Sequence, residues 1–330
     1  MKHSIQPFLS EILDYAGLYP PASLSLDDAF DKYIQHTQSN HSWMLSKFVA
    51  GTNYLKDLQE LVHTHDQSPQ PFLITAVAAP SDSLESFKKV MDQTKAIILD
   101  VVQDSTKEIK VPSLEIKLPE IFFKNSDLPS VQEAIRYAAN EFKTADTLPD
   151  HIFFEISGFS FDSSYSKLLV DALHQHNKNL EAADDSQYCF SGFKIRCGGV
   201  EAFQFPPTDY LAQAISYSTK SKVPLKFTAG LHHSVRHYND SVSTKMHGFL
   251  NVFGATLLAF SSELKVSDIQ TMLEDEDADH FSFTDKFFSW MKTTISLEEL
   301  HMLRSLYVTS FGSCSFEEPV EDLQELNLLT

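Results

Sequence analysis

Short apolar runs alternate with amphipathic helical segments through most of the chain, and this alternation constrains the fold more than any other feature. Strands are predicted at "WMLSKFVAG" (43–51), "FLITAVAAP" (72–80), "SLEIKLP" (113–119), "HIFFEIS" (151–157), "FSGFKIRCGG" (190–199) and "PLKFTAG" (224–230). The segments between them carry apolar residues at helical spacing. Strands joined through helices of about 10–15 residues are typical of parallel crossover units. The sequence therefore predicts an α/β fold.

The number of strands favours a closed barrel over an open sheet. Residues 248–255 and 305–313 are further strand candidates, although either could be helical, and residues 96–102 could be a strand or the end of a helix. A total near eight predicts a (β/α)8 TIM-barrel-like fold.

The chain shows neither a glycine-rich linker nor an internal repeat, so we expect a single domain over residues 1–330. Residues 1–40 are expected to form an N-terminal helical segment, and residues 265–300 a small acidic and aromatic appendage. The proline-rich "DYAGLYPPA" (14–22) is expected to plug or cover the barrel, and "SFEEPVEDLQELNLL" to form a closing helix.

Two helix starts carry capping signals. Ser25 is placed to cap a helix over residues 25–36. Ser130 and Glu133 have the spacing of a capping box, which predicts that a helix begins at Ser130.

The charge balance limits the classes of partner. The chain has 45 acidic and 26 basic residues, a formal net charge of −19, which argues against a nucleic-acid or anionic-membrane surface. An anionic ligand would therefore have to be held by a local basic pocket. We expect a small anionic metabolite as partner and leave a homo-oligomer possible.

Cysteine usage and the N-terminus favour a cytoplasmic protein. The three cysteines Cys189, Cys197 and Cys314 are an odd number without a framework spacing, which fits reduced thiols. Neither a signal peptide nor an apolar run of about 18 residues is evident. As nucleophiles these thiols are unpromising, because Cys197 should face outward and Cys314 follows a glycine turn with no evident base beside it.

Four of the predicted strands carry charged side chains at alternate positions, where a buried parallel strand should be apolar on both faces. The polar faces are Glu115 and Lys117, Glu155 and Ser157, Lys194 and Arg196, and Lys226 and Thr228. An antiparallel sheet with one solvated face would explain this, but the intervening helices disfavour hairpins. In a barrel, the same period of two directs these charges into the lumen, near the strand ends where barrel enzymes carry their chemistry.

This clustering predicts a site for an anionic carbonyl compound. Lys194, Arg196 and Lys226 concentrate positive charge, which suits a carboxylate or phosphate. A lysine beside other cations has a lowered pKa and can attack a carbonyl as the free amine, while Glu155 acts as base. We therefore predict a lyase or isomerase with Lys194, Lys226 and Glu155 as catalytic residues and no cofactor. The predicted substrate-binding residues are Glu115, Lys117, Arg196, Gly198, Gly199, Thr228, His232, His233 and Arg236.

Two resemblances accompany these residues. The Lys-x-Arg-x-Gly-Gly and Lys-x-Thr-x-Gly strands resemble the paired lysine strands of deoxyribose-phosphate aldolase and other class I aldolases. This resemblance implies that Lys194 forms the imine, that Lys226 tunes it, and that Asp100 or Glu155 is the acidic partner. The chain as a whole resembles bacterial proteins of unknown function with "DYAGLYPPA", "HGFLNVF" and "FGSCSFEEPVEDL" type segments, which implies a shared fold and no particular activity.

Two alternatives stay open. A divalent metal could be bound by Glu155, His232 and His233, with His237 or Asp100 as a further ligand, in a metal-dependent barrel enzyme. The chain could also be a non-catalytic ligand-binding protein on a barrel scaffold, because a fold does not fix a function.

Overall fold

A computed structural model describes residues 3–65, 67–103, 108–142, 149–182 and 190–329. Its strands are, in chain order, β1 (Leu13–Tyr15), β2 (Leu45–Gly51), β3 (Phe72–Val77), β4 (Ile109–Leu118), β5 (His151–Ile156), β6 (Phe190–Arg196), β7 (Leu225–Thr228), β8 (His237–Asn239), β9 (Thr244–Met246), β10 (Phe281–Phe283), β11 (Phe287–Trp290), β12 (Thr293–Ser296) and β13 (Val308–Ser313).

The helices of the described residues surround and connect these strands. They are α1 (Ile5–Leu9), α2 (Leu26–Thr37), α3 (Leu55–Thr64), α4 (Leu84–Gln103), α5 (Glu120–Lys124), α6 (Leu128–Glu141), α7 (Ser163–Ala182), α8 (Thr208–Lys220), α9 (Phe249–Ser261), α10 (Val266–Glu274), α11 (Leu297–Leu306) and α12 (Glu317–Glu325).

Eight parallel strands close into a barrel in the order β1, β13, β7, β6, β5, β4, β3, β2, and β2 returns to β1. The predicted TIM-barrel-like fold is therefore confirmed. Outward-facing side chains such as Ile116, Phe154, Ile195 and Phe227 are buried under the helices. These residues alternate with the charged lumen positions, as the period of two along each strand requires.

The undecided segments resolve differently. Residues 96–102 belong to α4 and residues 249–255 to α9, whereas β13 supplies the eighth barrel strand within 305–313. The first strand, β1, lies inside the segment 1–40 that we expected to be helical, between α1 and α2.

Two C-terminal segments lie outside the barrel strands. Residues 266–296 form α10 and an antiparallel sheet of β10, β11 and β12, and the chain ends with α12. Within the described residues, no helix combines the length and apolar character that crossing a bilayer requires.

One capping prediction is confirmed and the other is wrong. Ser25 accepts a hydrogen bond from the backbone N–H of Asp28 at the start of α2. Helix α6 begins at Leu128, two residues before the predicted start, because the Asp127 carboxylate accepts from the backbone N–H of Ser130. A carboxylate at this position satisfies a free N–H group and complements the helix dipole.

Candidate active site

A connected series of ion pairs runs through the barrel lumen. Lys226 contacts Asp14 and lies 3.6 Å from Glu115 Oε1. Glu115 Oε2 is 2.6 Å from the Lys194 ammonium, which is also 2.9 Å from Glu155 Oε2. Lys226 therefore reaches Lys194 only through Glu115. The inward direction predicted from the strand pattern holds for Glu115, Glu155, Lys194 and Lys226.

Glu155 links this series to two further cations. Its Oε1 atom lies 3.4 Å from Arg196 Nε and 3.9 Å from Lys117 Nζ. Neighbouring strands supply these groups in register, since Lys117 pairs with Glu155 and Glu155 with Lys194 across the sheet. The alternation of sign across β4, β5 and β6 lets each buried charge contact an opposite charge.

The C-terminal ends of the strands enclose a cavity of about 270 Å³, here called the mouth cavity. Its charged and polar lining includes Tyr19, Glu115, Lys117, Lys194, Arg196, Gln204, Thr228, His232, Ser313 and Cys314, and Gly199 and Gly230 contribute backbone. This volume suits a small metabolite, and the position is where barrel enzymes bind their substrates.

The buried groups of the site are held in their charged forms. Burial alone would raise the pKa of Glu155, but Lys194, Lys117 and Arg196 lower it to about 2. Burial opposes the charge of Lys194, yet Glu115 and Glu155 together raise its pKa above the ordinary lysine value. Lys194 is therefore a fixed ammonium group, which is the opposite of the lowered pKa expected for an imine-forming lysine.

Lys117 has the properties that the sequence assigned to Lys194. Glu155 favours its charged form, but burial and the nearby charges of Arg196 and Lys194 lower the pKa of Lys117 overall. Its side chain is 42% exposed and lines the mouth cavity. A ligand can therefore reach this amine, whereas Lys194 is enclosed by carboxylates.

Two of the predicted catalytic residues lie away from the mouth cavity. Lys226 is buried below it, bonded to Asp14 and to Ser310 Oγ at 2.8 Å, and borders a separate cavity of about 810 Å³ at the opposite end of the barrel. Glu155 lies behind Lys117 and Arg196, beside a small recess shared with Lys194. Among the described residues, Glu115 is the acidic side chain that lines the mouth cavity itself.

Thr228 and the glycines at the strand ends, predicted to bind substrate, lie in or next to the mouth cavity. Thr228 and Gly199 line the mouth cavity. Gly198 instead packs against Gly230, where a Cβ atom on Gly198 would lie 2.8 Å from the Gly230 Cα atom. A side chain would not fit between these two strand ends.

The loop after β7 divides its predicted residues between two places. His232 lines the mouth cavity, and its Nδ1 atom is 2.7 Å from Glu318 Oε2. His233 is directed to Asp322 at 3.1 Å and packs on the ring of His237. Arg236 bonds to His247 Nδ1 at 3.0 Å. His233 and Arg236 therefore support the loop and do not line the cavity.

The residues of the metal alternative do not converge. Asp100 lies on the outer helix α4 and pairs with Lys56 at 2.6 Å. Across the described part of the chain, His, Cys, Asp and Glu side chains form no group of three placed to hold a metal ion.

Several lining residues were not predicted from the sequence. Tyr19, Pro20 and Pro21 of the segment expected to plug the barrel line its mouth, and burial raises the pKa of Tyr19, which keeps its phenol neutral. Cys314 also lines the cavity, close enough to His232 for the two side chains to interact electrostatically. The expectation that Cys314 has no base nearby is therefore wrong. Asp14 was also missed, because its strand β1 has three residues and is too short to show a period of two.

These features define a (β/α)8 barrel with a charged lumen that opens into a small cavity at its C-terminal face. Comparison with other proteins adds no family to this description. No family model matches the chain, and no curated protein shows significant similarity to it.

Proposed function

We propose that this barrel is an enzyme of lyase or isomerase type that acts on a small anionic carbonyl compound in the mouth cavity. The observation that carries the proposal is the placement of Lys117, a reachable amine with a lowered pKa, beside the fixed ammonium of Lys194. Burying a charge such as that of Lys194 costs roughly several kcal/mol of hydration free energy, and packing alone does not offset this cost.

Substrate binding would use the exposed cations. Arg196 lies on the cavity wall with its guanidinium 5.7 Å from the centre of the Phe159 ring, and its charge is only partly satisfied by Glu155 at 3.4 Å. A substrate carboxylate or phosphate can pair with the free edge of this group. The net charge of −19 repels anions in general, so an anionic substrate needs such a local group of cations to hold it.

The chemistry follows from the remaining groups. The amine of Lys117, in its neutral form, adds to the substrate carbonyl carbon. The oxygen takes one proton from the attacking nitrogen and one from solvent and leaves as water, which gives a protonated imine. This imine accepts the electron pair released when a neighbouring C–C or C–H bond breaks. Glu115, which lines the cavity, takes the proton set free in that step. Glu155 acts as a positioning residue because it holds Lys117, Lys194 and Arg196 together.

The test is borohydride trapping with pyruvate and with glyceraldehyde 3-phosphate as separate probes, read by intact mass and peptide mapping. We expect a reduced adduct on Lys117 with at least one probe, and its loss in Lys117→Ala. Lys110→Ala is the matched control, because Lys110 lies on the same strand but is exposed and pairs with Glu108 at 2.8 Å. We expect this control to trap like the unaltered protein.

A second readout follows proton transfer. Deuterium entering the position next to the probe's carbonyl is measured by NMR, and we expect Glu115→Gln to slow it by about 100-fold or more. An adduct on Lys194 would contradict the assignment of the nucleophile. Binding of both probes without any adduct or exchange would contradict the enzyme proposal and favour the ligand-binding alternative.

A further inference from the structure

Two side chains on the wall of the mouth cavity, Cys314 and His232, and one carboxylate outside it, Glu318, have the residue types of an activated thiol. Cys314 follows the end of β13, His232 lies on the loop after β7, and Glu318 lies in the first turn of α12. His232 Nδ1 is 2.7 Å from Glu318 Oε2. His232 and Cys314 line the same cavity, and their side chains are close enough to interact electrostatically. A thiol, an imidazole and a carboxylate placed together in this way can supply a nucleophile, a base and an orienting acid.

The surroundings of His232 favour a charged imidazole. Burial opposes protonation of the ring, but Cys314 and Glu318 raise the pKa of His232 to about 9. Other groups near the pair are His233, which acts on Glu318, and Tyr15, which interacts with Cys314 and with Glu317. An imidazolium close to a cysteine side chain is the arrangement that activates cysteine nucleophiles in enzymes.

We propose that Cys314, His232 and Glu318 form a nucleophilic centre that accepts an acyl group from a small activated ester or thioester bound in the mouth cavity. This centre is separate from the lysines and glutamates of the lumen, and it does not depend on the function proposed above. Arg196 lines the same cavity and can hold a negatively charged acyl group.

The reaction consumes the acyl donor and one water molecule. The Cys314 thiolate attacks the carbonyl carbon, and the C=O electron pair moves to oxygen. When the carbonyl re-forms, the bond to the leaving alkoxide or thiolate breaks, and this group takes the proton of the His232 imidazolium. In the second half, neutral His232 removes a proton from water, the hydroxide attacks the thioester, and the C–S bond breaks to release the carboxylic acid and the thiolate.

The other cysteines provide the reference. Cys197 is fully buried, and burial raises the pKa of its thiol, so it should be inert. Cys189, which lies outside the described residues, is replaced by serine in every variant. The rate of iodoacetamide alkylation at Cys314 is then measured by peptide mapping between pH 6 and 9, beside free glutathione in the same buffer.

We expect Cys314 to be alkylated at least tenfold faster than glutathione at pH 6.5, and His232→Gln to remove this advantage. Glu318→Gln should slow the reaction several-fold, whereas Glu317→Gln, the neighbouring acid in the same turn, should not. With p-nitrophenyl acetate as acyl donor, we expect a burst of about one p-nitrophenolate per chain and an acetyl group on Cys314.

The proposal would be overturned if Cys314 in the unaltered histidine background reacts no faster than glutathione. It would also be overturned if the burst survives in Cys314→Ser, or if the acetyl group maps to a lysine. The comparison with glutathione needs no substitution at His232, so it stands even where His232→Gln fails to fold.

Discussion

Asp14 and Lys226 form an ion pair inside the barrel that is almost entirely shielded from solvent. Their side chains are 0% and 1% exposed. Asp14 also accepts a hydrogen bond from Thr75 at 2.8 Å. Burial favours the neutral form of Asp14, but the charges of Lys226 and Lys47 outweigh this effect and hold its pKa below the usual range. Lys226 lies 212 residues away along the chain, so this pair joins the first and seventh strands. Its role in the fold is structural, because it lies beneath the mouth cavity.

Removing one partner of this pair should destabilise the protein more than removing both. We expect Lys226→Met or Asp14→Leu to lower the free energy of unfolding by about 3–5 kcal/mol, because an uncompensated buried charge is left behind. In the double variant we expect a smaller loss than in either single variant, because no unpaired charge of this pair remains. Urea unfolding of both single variants and the double variant measures this coupling.

The exposed lysine Lys110 supplies the control for this cycle. Lys110→Met should change the free energy of unfolding by less than about 0.5 kcal/mol, as most surface substitutions do. Strict additivity of the two buried substitutions would show that Asp14 and Lys226 do not stabilise each other.

Helix α12 holds the loop after β7 through two carboxylates that are one helical turn apart. Glu318 contacts His232, and Asp322 accepts hydrogen bonds from the backbone N–H of Ser234 at 2.6 Å and from His233 at 3.1 Å. Residues at this spacing lie on the same helix face. The C-terminal helix thereby positions a side chain of the mouth cavity although its own backbone lies outside the lumen.

Asp322→Ala should loosen this loop. The lost carboxylate leaves the Ser234 N–H without its acceptor, which costs about 1–3 kcal/mol for a buried donor. We expect a lower free energy of unfolding in urea and faster hydrogen exchange at the Ser234 amide. Glu321→Gln, one residue earlier on the exposed side, is the control. Unchanged exchange at Ser234 in Asp322→Ala would show that the loop does not need this anchor.

The strand pattern predicted which side chains enter the lumen but not their height along the barrel. Lys194 and Lys226 are direct partners across β6 and β7, and their positions in sequence suggested one shared site. Strands of such a barrel are tilted by about 36°, so partners on neighbouring strands lie at different heights along its axis. This tilt places Lys226 low, against Asp14, and Lys194 high, against Glu115 and Glu155.

Short or atypical elements were the other limit of the sequence. Strand β1 has three residues, which is too few for a period of two to be visible, so Asp14 could not be recognised as a lumen residue. Helix α9 is buried at every position from Phe249 to Leu258, and such an apolar run does not distinguish a helix from a strand. The contact between His232 and Cys314 joins two loops that only the closed barrel brings together.

At the scale of the whole molecule, several buried groups make the stability depend on pH in opposite directions. Burial lowers the pKa of His176 to about 4, and burial together with Arg236 does the same for His247. A histidine in the unfolded chain has a pKa of about 6.5, so the unfolded chain binds protons more readily than the folded protein does. The stabilisation from keeping these rings neutral is complete above about pH 6.5 and is lost as the pH falls towards 4.

Two other groups extend this dependence. Burial alone would raise the pKa of Glu155, but the neighbouring cations lower it to about 2. The ionised carboxylate therefore stabilises the fold at neutral pH, and this stabilisation is lost as the pH falls from about 4.5 to 2. His232 has the opposite sign, because its pKa is raised to about 9. Its contribution is complete below about pH 6.5 and is lost as the pH rises towards 9. The free energy of unfolding should therefore be highest near pH 6.5 and fall on both sides.

Urea unfolding at intervals from pH 4 to 9 tests this profile, and substitution at one histidine tests its cause. His176 Nε2 is buried without a hydrogen-bond partner among the described residues, so His176→Gln should remove part of the acid dependence, on the order of 3 kcal/mol between pH 7 and 4. His174→Gln, on the exposed side of the same helix, should leave the slope unchanged. An acid limb that is equally steep in His176→Gln would mean that the carboxylates of the lumen, rather than the buried histidines, set the loss of stability.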